Sequence, residues 1–185
     1  MIPDRGQCEA LMAQYGMLAN IRDHSIMVAR VALLLSDALA SAGLKFERQL
    51  VVAGALLHDI AKTICLDGSC RHAQHGRDIC LEHGMARVAD IVAQHVVLDD
   101  FAAPLSPVAL VYYADKRVRH DEVVSLQERR LYIEERYAQG NLDYLAHIRE
   151  NFVKCCDLEE RIFSHLPFAA DSVVARLAAA EEALL

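Results

Sequence analysis

The chain has 185 residues, of which 54% are hydrophobic and 24% charged, and its formal net charge is −7 at pH 7. This length fits one domain, or one domain with an appended helix or two, and the apolar fraction is large enough for a sizeable core. The negative charge argues against a dedicated nucleic-acid binder, which would carry a basic face. A small anionic substrate is compatible with it, because a bound metal can supply local positive charge.

The six cysteines stand at irregular spacings, and the last two, Cys155 and Cys156, are adjacent. A helical chain of this size needs no disulfide framework, so we expect reduced thiols and a cytoplasmic location. The first residues, Met1 to Arg5, show no signal-peptide pattern. No apolar run approaches a membrane span, so we expect a soluble protein with no membrane partner.

Hydrophobic periodicity predicts helices along the whole chain, and no alternation of period two is long enough for a strand. In chain order, the predicted helices cover residues 7–19, 20–42, 47–63, 75–83, 87–97, 108–118, 125–140, 142–165 and 171–185. Asn20 is the predicted cap of the second helix. Ser106 with Pro107 predicts the start of the sixth, and Ser125 with Glu128 forms a capping box for the seventh.

The stretch from Val51 to Lys62 is an apolar helix that ends in His58 and Asp59. Ionisable side chains at the end of a buried run are unfavourable unless something compensates their desolvation. Neutral imidazole and carboxylate are both ligands for divalent metals, so a metal site would provide that compensation. Gly54 lowers helix propensity by about 1 kcal/mol, which predicts a close crossing with the helices that complete the site.

Two other predicted apolar helices also carry an ionisable residue, His24 on one and Asp115 on the other. Each residue alone has an ordinary explanation, because a buried histidine is usually just hydrogen bonded and Asp115 could pair with Arg119. Together with His58 and Asp59, they place metal-binding side chains on successive buried helices. This combination predicts one shared metal site.

The order His24, then His58-Asp59, then Asp115 resembles the signature of the HD-domain metal-dependent phosphohydrolases. The stretch from Gly54 to Lys62 is similar to the central motif of that family, and Tyr113 to Lys116 is similar to its closing motif. The resemblance covers about residues 20–120 and is nearest to small stand-alone bacterial HD hydrolases of the dinucleoside-tetraphosphatase-like kind. It implies an all-α HD-domain helical bundle over residues 1–122. Additional C-terminal helices over 123–185 would pack on this core or form an oligomer interface, so a homodimer is compatible with it.

Two-metal members of the family add two histidines, and His75-Gly76 and His95 stand where that pattern expects them. The ligands implied by the resemblance are His24, His58, Asp59, His75, His95 and Asp115, with Asp59 bridging two ions. The alternative is a single ion with His75 and His95 beside it. Fe, Mn, Ni, Mg and Zn are not distinguished by the sequence. A rival structural zinc site among the cysteines and histidines of residues 65–83 lacks a paired C-x-x-C spacing.

The resemblance implies hydrolysis of a phosphoester or phosphoanhydride of a nucleotide or related small molecule by a metal-bound hydroxide. Asp59 and Lys62 are the predicted catalytic residues, because Asp59 would hold the metals and Lys62 lies on the same helix face. The predicted phosphate-binding residues are Lys62, Lys116, Arg119 and Arg22. Two alternatives remain open: a non-catalytic regulatory module that binds a nucleotide or a protein, and a di-iron oxygenase.

Overall fold

The structure, a computed structural model, describes residues 1–138 and 140–180 and is mostly helical. The α-helices in these ranges are α1 (Arg5–Gln14), α2 (Ala19–Ser41), α3 (Arg48–Leu57), α4 (His72–Glu82), α5 (Ala86–Gln94), α6 (Pro107–Lys116), α7 (Leu126–Ile133), α8 (Leu142–Phe163) and α9 (Val173–Ala179). A π-helical turn, Glu134–Ala138, follows α7, and a 3-10 turn, Ala170–Ser172, precedes α9. The prediction of an all-α fold is confirmed.

One short hairpin interrupts the helices, between α6 and α7. Its strands β1 (Val118–Arg119) and β2 (Glu122–Val123) are antiparallel, with Val118 opposite Val123. Two residues per strand are too few for a period-two pattern, so periodicity could not predict this element.

Two of the three predicted helix caps are present in the structure. Ser106 accepts a hydrogen bond from the N–H of Ala109, and Ser125 forms the expected capping box with Glu128. By contrast, α2 starts at Ala19, so Asn20 lies inside the helix and Leu18 holds the cap position. The cap of α2 thus lies two residues earlier than the capping pattern predicted.

Two helix boundaries near the predicted site differ from expectation. α3 ends at Leu57 rather than at residue 63, so His58 and Asp59 lie in the turns that follow it. α4 starts at His72, three residues before the predicted position. Residues 181–185 of the last predicted helix, and Gln139, lie outside the described residues.

The core is built by α2, α3, α5 and α6, which pack on one another. The close crossing predicted at Gly54 is observed, since a Cβ built there would lie 2.5 Å from Cδ1 of Ile91. The helix that approaches is α5, which leads to His95, rather than the helices of His24 and Asp115. α8 packs on α6 and α9 packs on α2, so C-terminal helices contact the core. The proposed division at residue 122 stays a prediction.

α2 corrects the expectation that no run approaches a membrane span. It has 23 residues and an 18-residue window of mean hydropathy 1.3, which is long and apolar enough to cross a membrane by length and composition alone. In the structure, 56% of that window is buried. The buried residues belong to the core, and His24 lies among them.

The expectation of six reduced thiols was wrong for Cys65 and Cys70, which form a disulfide. The turns after α3 bring their Cα atoms to 5.1 Å, a distance that a disulfide spans readily. Cys8, Cys80 and Cys155 are buried free thiols, and Cys156 is an exposed one. The disulfide also takes two cysteines away from the rival zinc site.

Candidate metal centre

Two adjacent groups of histidine and aspartate side chains lie at the centre of the helical core. The first contains His24, His58 and Asp115; the second contains Asp59, His72 and His95. Within each group, the potential ligand atoms lie within 4.8 Å of one another. The groups are neighbours, because Nε2 of His58 is 3.4 Å from Oδ2 of Asp59. The fold therefore gathers four imidazoles and two carboxylates in one small volume.

Helix ends bring most of these residues together. His58 and Asp59 directly follow α3, His72 is the first residue of α4, and His95 is the capping residue at the end of α5. Asp115 lies in the last turn of α6. At a helix end the backbone is free to turn, which allows side chains from separate helices to converge.

Three of the imidazole rings are oriented by the backbone in the same way. In each, Nδ1 lies within hydrogen-bond distance of a carbonyl oxygen, at 2.8 Å for His24 with His120, 2.7 Å for His58 with Ala55 and 2.7 Å for His95 with Val92. A carbonyl oxygen only accepts, so each Nδ1 carries the hydrogen and donates it. In the neutral ring, Nε2 then presents its lone pair to the two groups. Metal-binding histidines in proteins are commonly fixed by such hydrogen bonds.

Unpaired polar atoms mark the space between the groups. Nε2 of His58 and Oδ1 of Asp59 are buried without a hydrogen-bond partner among the described residues. Nε2 of His72 lies 3.1 Å from Nε2 of His95, close enough to donate a hydrogen bond to its lone pair. Buried polar atoms are rarely left unsatisfied in folded proteins. Cations bound among these atoms would satisfy them, so the donor set fits divalent metal ions.

The pKa values of two histidines favour the neutral form that binds metals. Burial, followed by the neighbouring His95, lowers the pKa of His72 to about 4. Burial also lowers the pKa of His95, and the attraction of Asp59 only partly opposes it. Both imidazoles are therefore uncharged at neutral pH, as metal coordination requires.

The two carboxylates of the centre are ionised, each with a lysine beside it. Burial alone would raise the pKa of Asp59, but Lys62, with Nζ 2.7 Å from Oδ2, acts together with His58 and His95 to hold that pKa well below its usual range. Burial opposes the ionised form of Asp115 in the same way, and Lys116, at 2.7 Å, acts with His24, His58 and Arg129 to lower its pKa. Burial lowers the pKa of His58, whereas Asp59 and Asp115 raise it by more. The carboxylates thus attract positive charge to this position.

Five of the six predicted ligands lie in the two groups, and His75 lies in neither within the described residues. His72 joins Asp59 and His95 instead. The reason is helical phase: a Cβ on Gly76 would lie 2.8 Å from Cγ1 of Val92, so Gly76 marks the face of α4 that packs inward. His72, four residues earlier, shares that face, whereas His75, directly before Gly76, is rotated from it by roughly 100°. The spacing from Gly76 was the signal that could have found His72.

Of the predicted phosphate-binding residues, Lys62 lines the cleft that opens over the two groups. Lys116 instead is buried and donates to Asp115 and to the carbonyl oxygen of His95. Arg119 pairs with Glu122 across the hairpin, and Arg22 is not among the described residues that line the cleft. The chain after Asp115 turns into a hairpin rather than forming a basic rim.

The cleft has a volume of about 160 Å³ and reaches His24 and Asp59. Four of its lining residues come from α7 and the π-helical turn, namely Arg129, Tyr132, Arg136 and Tyr137. None of the four is among the residues predicted from the sequence to form the site. The capping box predicted their helix, but helical periodicity alone did not indicate that one of its faces would cover the metal centre.

A family model described as HD domain matches residues 21–129, which is more than half of the chain and includes both His/Asp groups. The chain belongs to the HD-domain family. The HD-domain bundle expected from the resemblance is thereby confirmed, with C-terminal helices following it.

Among known proteins, the tRNA (cytidine(56)-2'-O)-methyltransferase of Picrophilus torridus is similar to this HD-domain chain, with 26% identity over 156 residues. The match covers 76% of the chain, and the chain spans only 42% of the length of that relative. No solved structure matches the chain at a significant level.

Proposed function

We propose that this protein is a metal-dependent phosphohydrolase that cleaves a phosphoester or phosphoanhydride of a nucleotide or a related small molecule. The observation that carries the proposal is a pair of buried atoms, Nε2 of His58 and Oδ1 of Asp59, that have no hydrogen-bond partner among the described residues. Asp59 lines a cleft together with cationic side chains, and Nε2 of His58 is 3.4 Å from Oδ2 of Asp59. Membership of the HD-domain family supports it. Dinucleoside polyphosphates are the substrates suggested by the resemblance to dinucleoside-tetraphosphatase-like hydrolases.

The donor set assigns each group its own ion in this proposal. His24, His58 and Asp115 would hold one divalent ion, and Asp59, His72 and His95 would hold the other. The chemistry that divalent ions supply when bound is activation of water at neutral pH and neutralisation of phosphate charge.

Asp59 has two roles in the proposal, one for each carboxylate oxygen. Oδ2 accepts a hydrogen bond from Lys62, while the buried Oδ1 has no such partner within the described ranges. Since the carboxyl is ionised at neutral pH, Oδ1 is available to bind a cation or to accept a proton from a water and orient it.

Lys62 is placed to bind the substrate phosphate. Its side chain is 32% exposed and lines the cleft, and its ammonium keeps two further donors beyond the one given to Asp59. Burial lowers the pKa of Lys62, but Asp59 and Asp115 raise it by more, so the ammonium stays charged at neutral pH. A phosphate oxygen in the cleft would therefore meet a fixed positive charge.

The test uses the full-length chain loaded in turn with Mn²⁺, Fe²⁺, Ni²⁺, Mg²⁺ and Zn²⁺. Phosphate release is measured with ATP, a dinucleoside tetraphosphate and p-nitrophenyl phosphate. Asp59→Asn, which keeps the side-chain volume, should lower the rate by about a hundredfold or more, as loss of a group central to metal-assisted catalysis does. Asp90→Asn, on the exposed face of α5, is the matched control and should keep the rate.

Circular dichroism must show that both variants are folded. Absence of release from every compound, with metal bound and the fold intact, would contradict the proposal. Nucleotide binding without release would favour the non-catalytic regulatory module instead.

A further inference from the structure

We infer that α7 and the π-helical turn form a nucleotide-binding wall, in which Arg129 and Arg136 bind phosphate and Tyr132 and Tyr137 contact the aromatic base. Cleavage of a phosphate bond in this site rests on the proposed function. Nucleotide binding by the wall does not depend on whether a bond is cleaved. The wall lines the same cleft as His24 and Asp59.

Two kinds of residues line the cleft. His24 and Asp59 belong to the two His/Asp groups. Two guanidinium groups and two phenol rings alternate along one helical segment. Guanidinium pairs with phosphate, and a phenol ring stacks on a planar base. A nucleotide combines both partners in one small molecule.

Arg129 has an unmet hydrogen-bonding requirement. Its side chain is only 11% exposed, and Nη2 is 3.9 Å from Oδ1 of Asp115. Its Nε is buried and finds no acceptor in the part of the chain that the structure describes. A guanidinium offers five donors in a fixed plane, and a phosphate oxygen in the cleft is the kind of acceptor this Nε lacks. Arg129 is thus a substrate-positioning residue next to the metal centre.

The π-helical turn explains why both tyrosines reach the cleft. Tyr132 and Tyr137 are five residues apart, and in an α-helix this spacing would separate their directions by about 140°. A π-helical turn closes over five residues, which returns Tyr137 to the side of Tyr132. The Arg136 guanidinium carbon lies 5.8 Å from the ring centre of Tyr137, and that of Arg129 lies 5.6 Å from Tyr132. Charge and aromatic surface are therefore interleaved along the wall.

The C-terminal region holds this wall in place. Glu134, the first residue of the π-helical turn, accepts two hydrogen bonds from Arg149 of α8, at 3.0 Å and 3.3 Å. Arg130 of α7 donates to the same carboxylate. A two-point guanidinium–carboxylate pair fixes orientation as well as distance. The pair between Arg149 and Glu134 lets α8 hold in place the turn that carries Arg136 and Tyr137.

The test compares ATP with inorganic tripolyphosphate, which carries the same number of phosphates but no base. Both are titrated calorimetrically into the full metal-loaded chain, and phosphate release is followed in the same samples. Tyr137→Leu should weaken ATP binding about tenfold and leave tripolyphosphate binding unchanged, because stacking acts on the base. Arg136→Ala should weaken the binding of both ligands, by about tenfold, because a guanidinium–phosphate pair acts on what they share.

Matched controls are available on the same chain. Tyr144 is as exposed as Tyr137, at 48%, and Tyr144→Leu should leave both affinities unchanged. Arg48→Ala, at the far end of α3 from His58, should do the same. Unchanged ATP affinity in both Tyr137→Leu and Arg136→Ala would overturn the inference, even if phosphate is released. ATP binding that depends on these residues without phosphate release would support the inference and contradict the phosphohydrolase proposal.

Discussion

The Nε2 atoms of His72 and His95 face each other at 3.1 Å, although the two residues stand at the start of one helix and the end of another. Nδ1 of His95 donates to the carbonyl oxygen of Val92, so its Nε2 is an acceptor in the neutral ring. Both Nε2 atoms also lie within 3.5 Å of Oδ1 of Asp59. These three atoms converge on one point, and with Nε2 of His72 in its unprotonated form they make the arrangement that a cation stabilises.

Replacing His72 or His75 of α4 with alanine should show which of the two binds metal. We predict that His72→Ala lowers the affinity of the chain for Mn²⁺ by at least about tenfold, since losing even a residue that only supports a metal ligand costs that much. His75→Ala, on the same helix but outside both groups, should leave the affinity unchanged. Calorimetric titration with Mn²⁺ measures both. The reverse pattern would restore His75 as the ligand.

Substitution of Gly54 should lower the free energy of unfolding, because Ile91 lies close to this position. Gly54→Ala would gain about 1 kcal/mol of helix propensity, but overpacking a core typically costs about 1–3 kcal/mol, and the new Cβ would fall 2.5 Å from Ile91. We predict a net loss of free energy of unfolding, measured by urea denaturation. Gly6→Ala in α1 is the control, because its Cβ would meet only Oδ1 of Asp4 at 3.5 Å. Equal or greater stability for Gly54→Ala would show that the crossing is looser than described.

Arg117 should contribute more to stability than Arg119, two residues away. The buried Arg117 donates to the carbonyl oxygens of Val124 and Ala170 and pairs with Glu159. Arg117→Ala should lower the free energy of unfolding by about 2 kcal/mol or more, because it leaves two carbonyl acceptors and the partly buried Glu159 carboxylate without their donor. Arg119→Ala removes a surface pair worth about 1 kcal/mol or less. Thermal unfolding compares the two, and similar effects would contradict the role given to Arg117.

The disulfide between Cys65 and Cys70 predicts a difference between oxidised and reduced protein. Alkylation without reductant should modify four thiols after unfolding, and six after reduction. Reduction should lower the free energy of unfolding by about 2 kcal/mol, the amount that a short closed loop contributes in the chain-entropy account. A variant with serine at both positions should be insensitive to dithiothreitol. Six modifiable thiols before reduction would refute the disulfide.

Much of the candidate site could be predicted from the sequence, because its residues conflict with their surroundings. His24 and Asp115 stand on apolar helices, and His58 and Asp59 directly follow one, in a core that disfavours charge. That conflict is visible without a structure. The sequence also predicts that another helix packs closely against Gly54. Helix type and order were also predictable, since the periodic segments are long.

The features that could not be predicted depend on helix phase and on tertiary packing. Whether His72 or His75 faces the centre depends on where α4 starts, and periodicity does not determine a helix boundary to within a few residues. The direction of Arg136 and Tyr137 depends on a π-helical turn braced by Arg149, fifteen positions beyond Glu134. Lys116 was expected at the rim, but it points inward to Asp115.

The decisive measurement is the number of Mn²⁺ ions bound per folded chain, determined by elemental analysis after equilibrium dialysis. We predict two ions for the wild-type chain, with Asp115→Asn and His72→Ala each losing the ion of its own group. A folded wild-type chain that binds no divalent ion would contradict the metal centre and, with it, the proposed hydrolase.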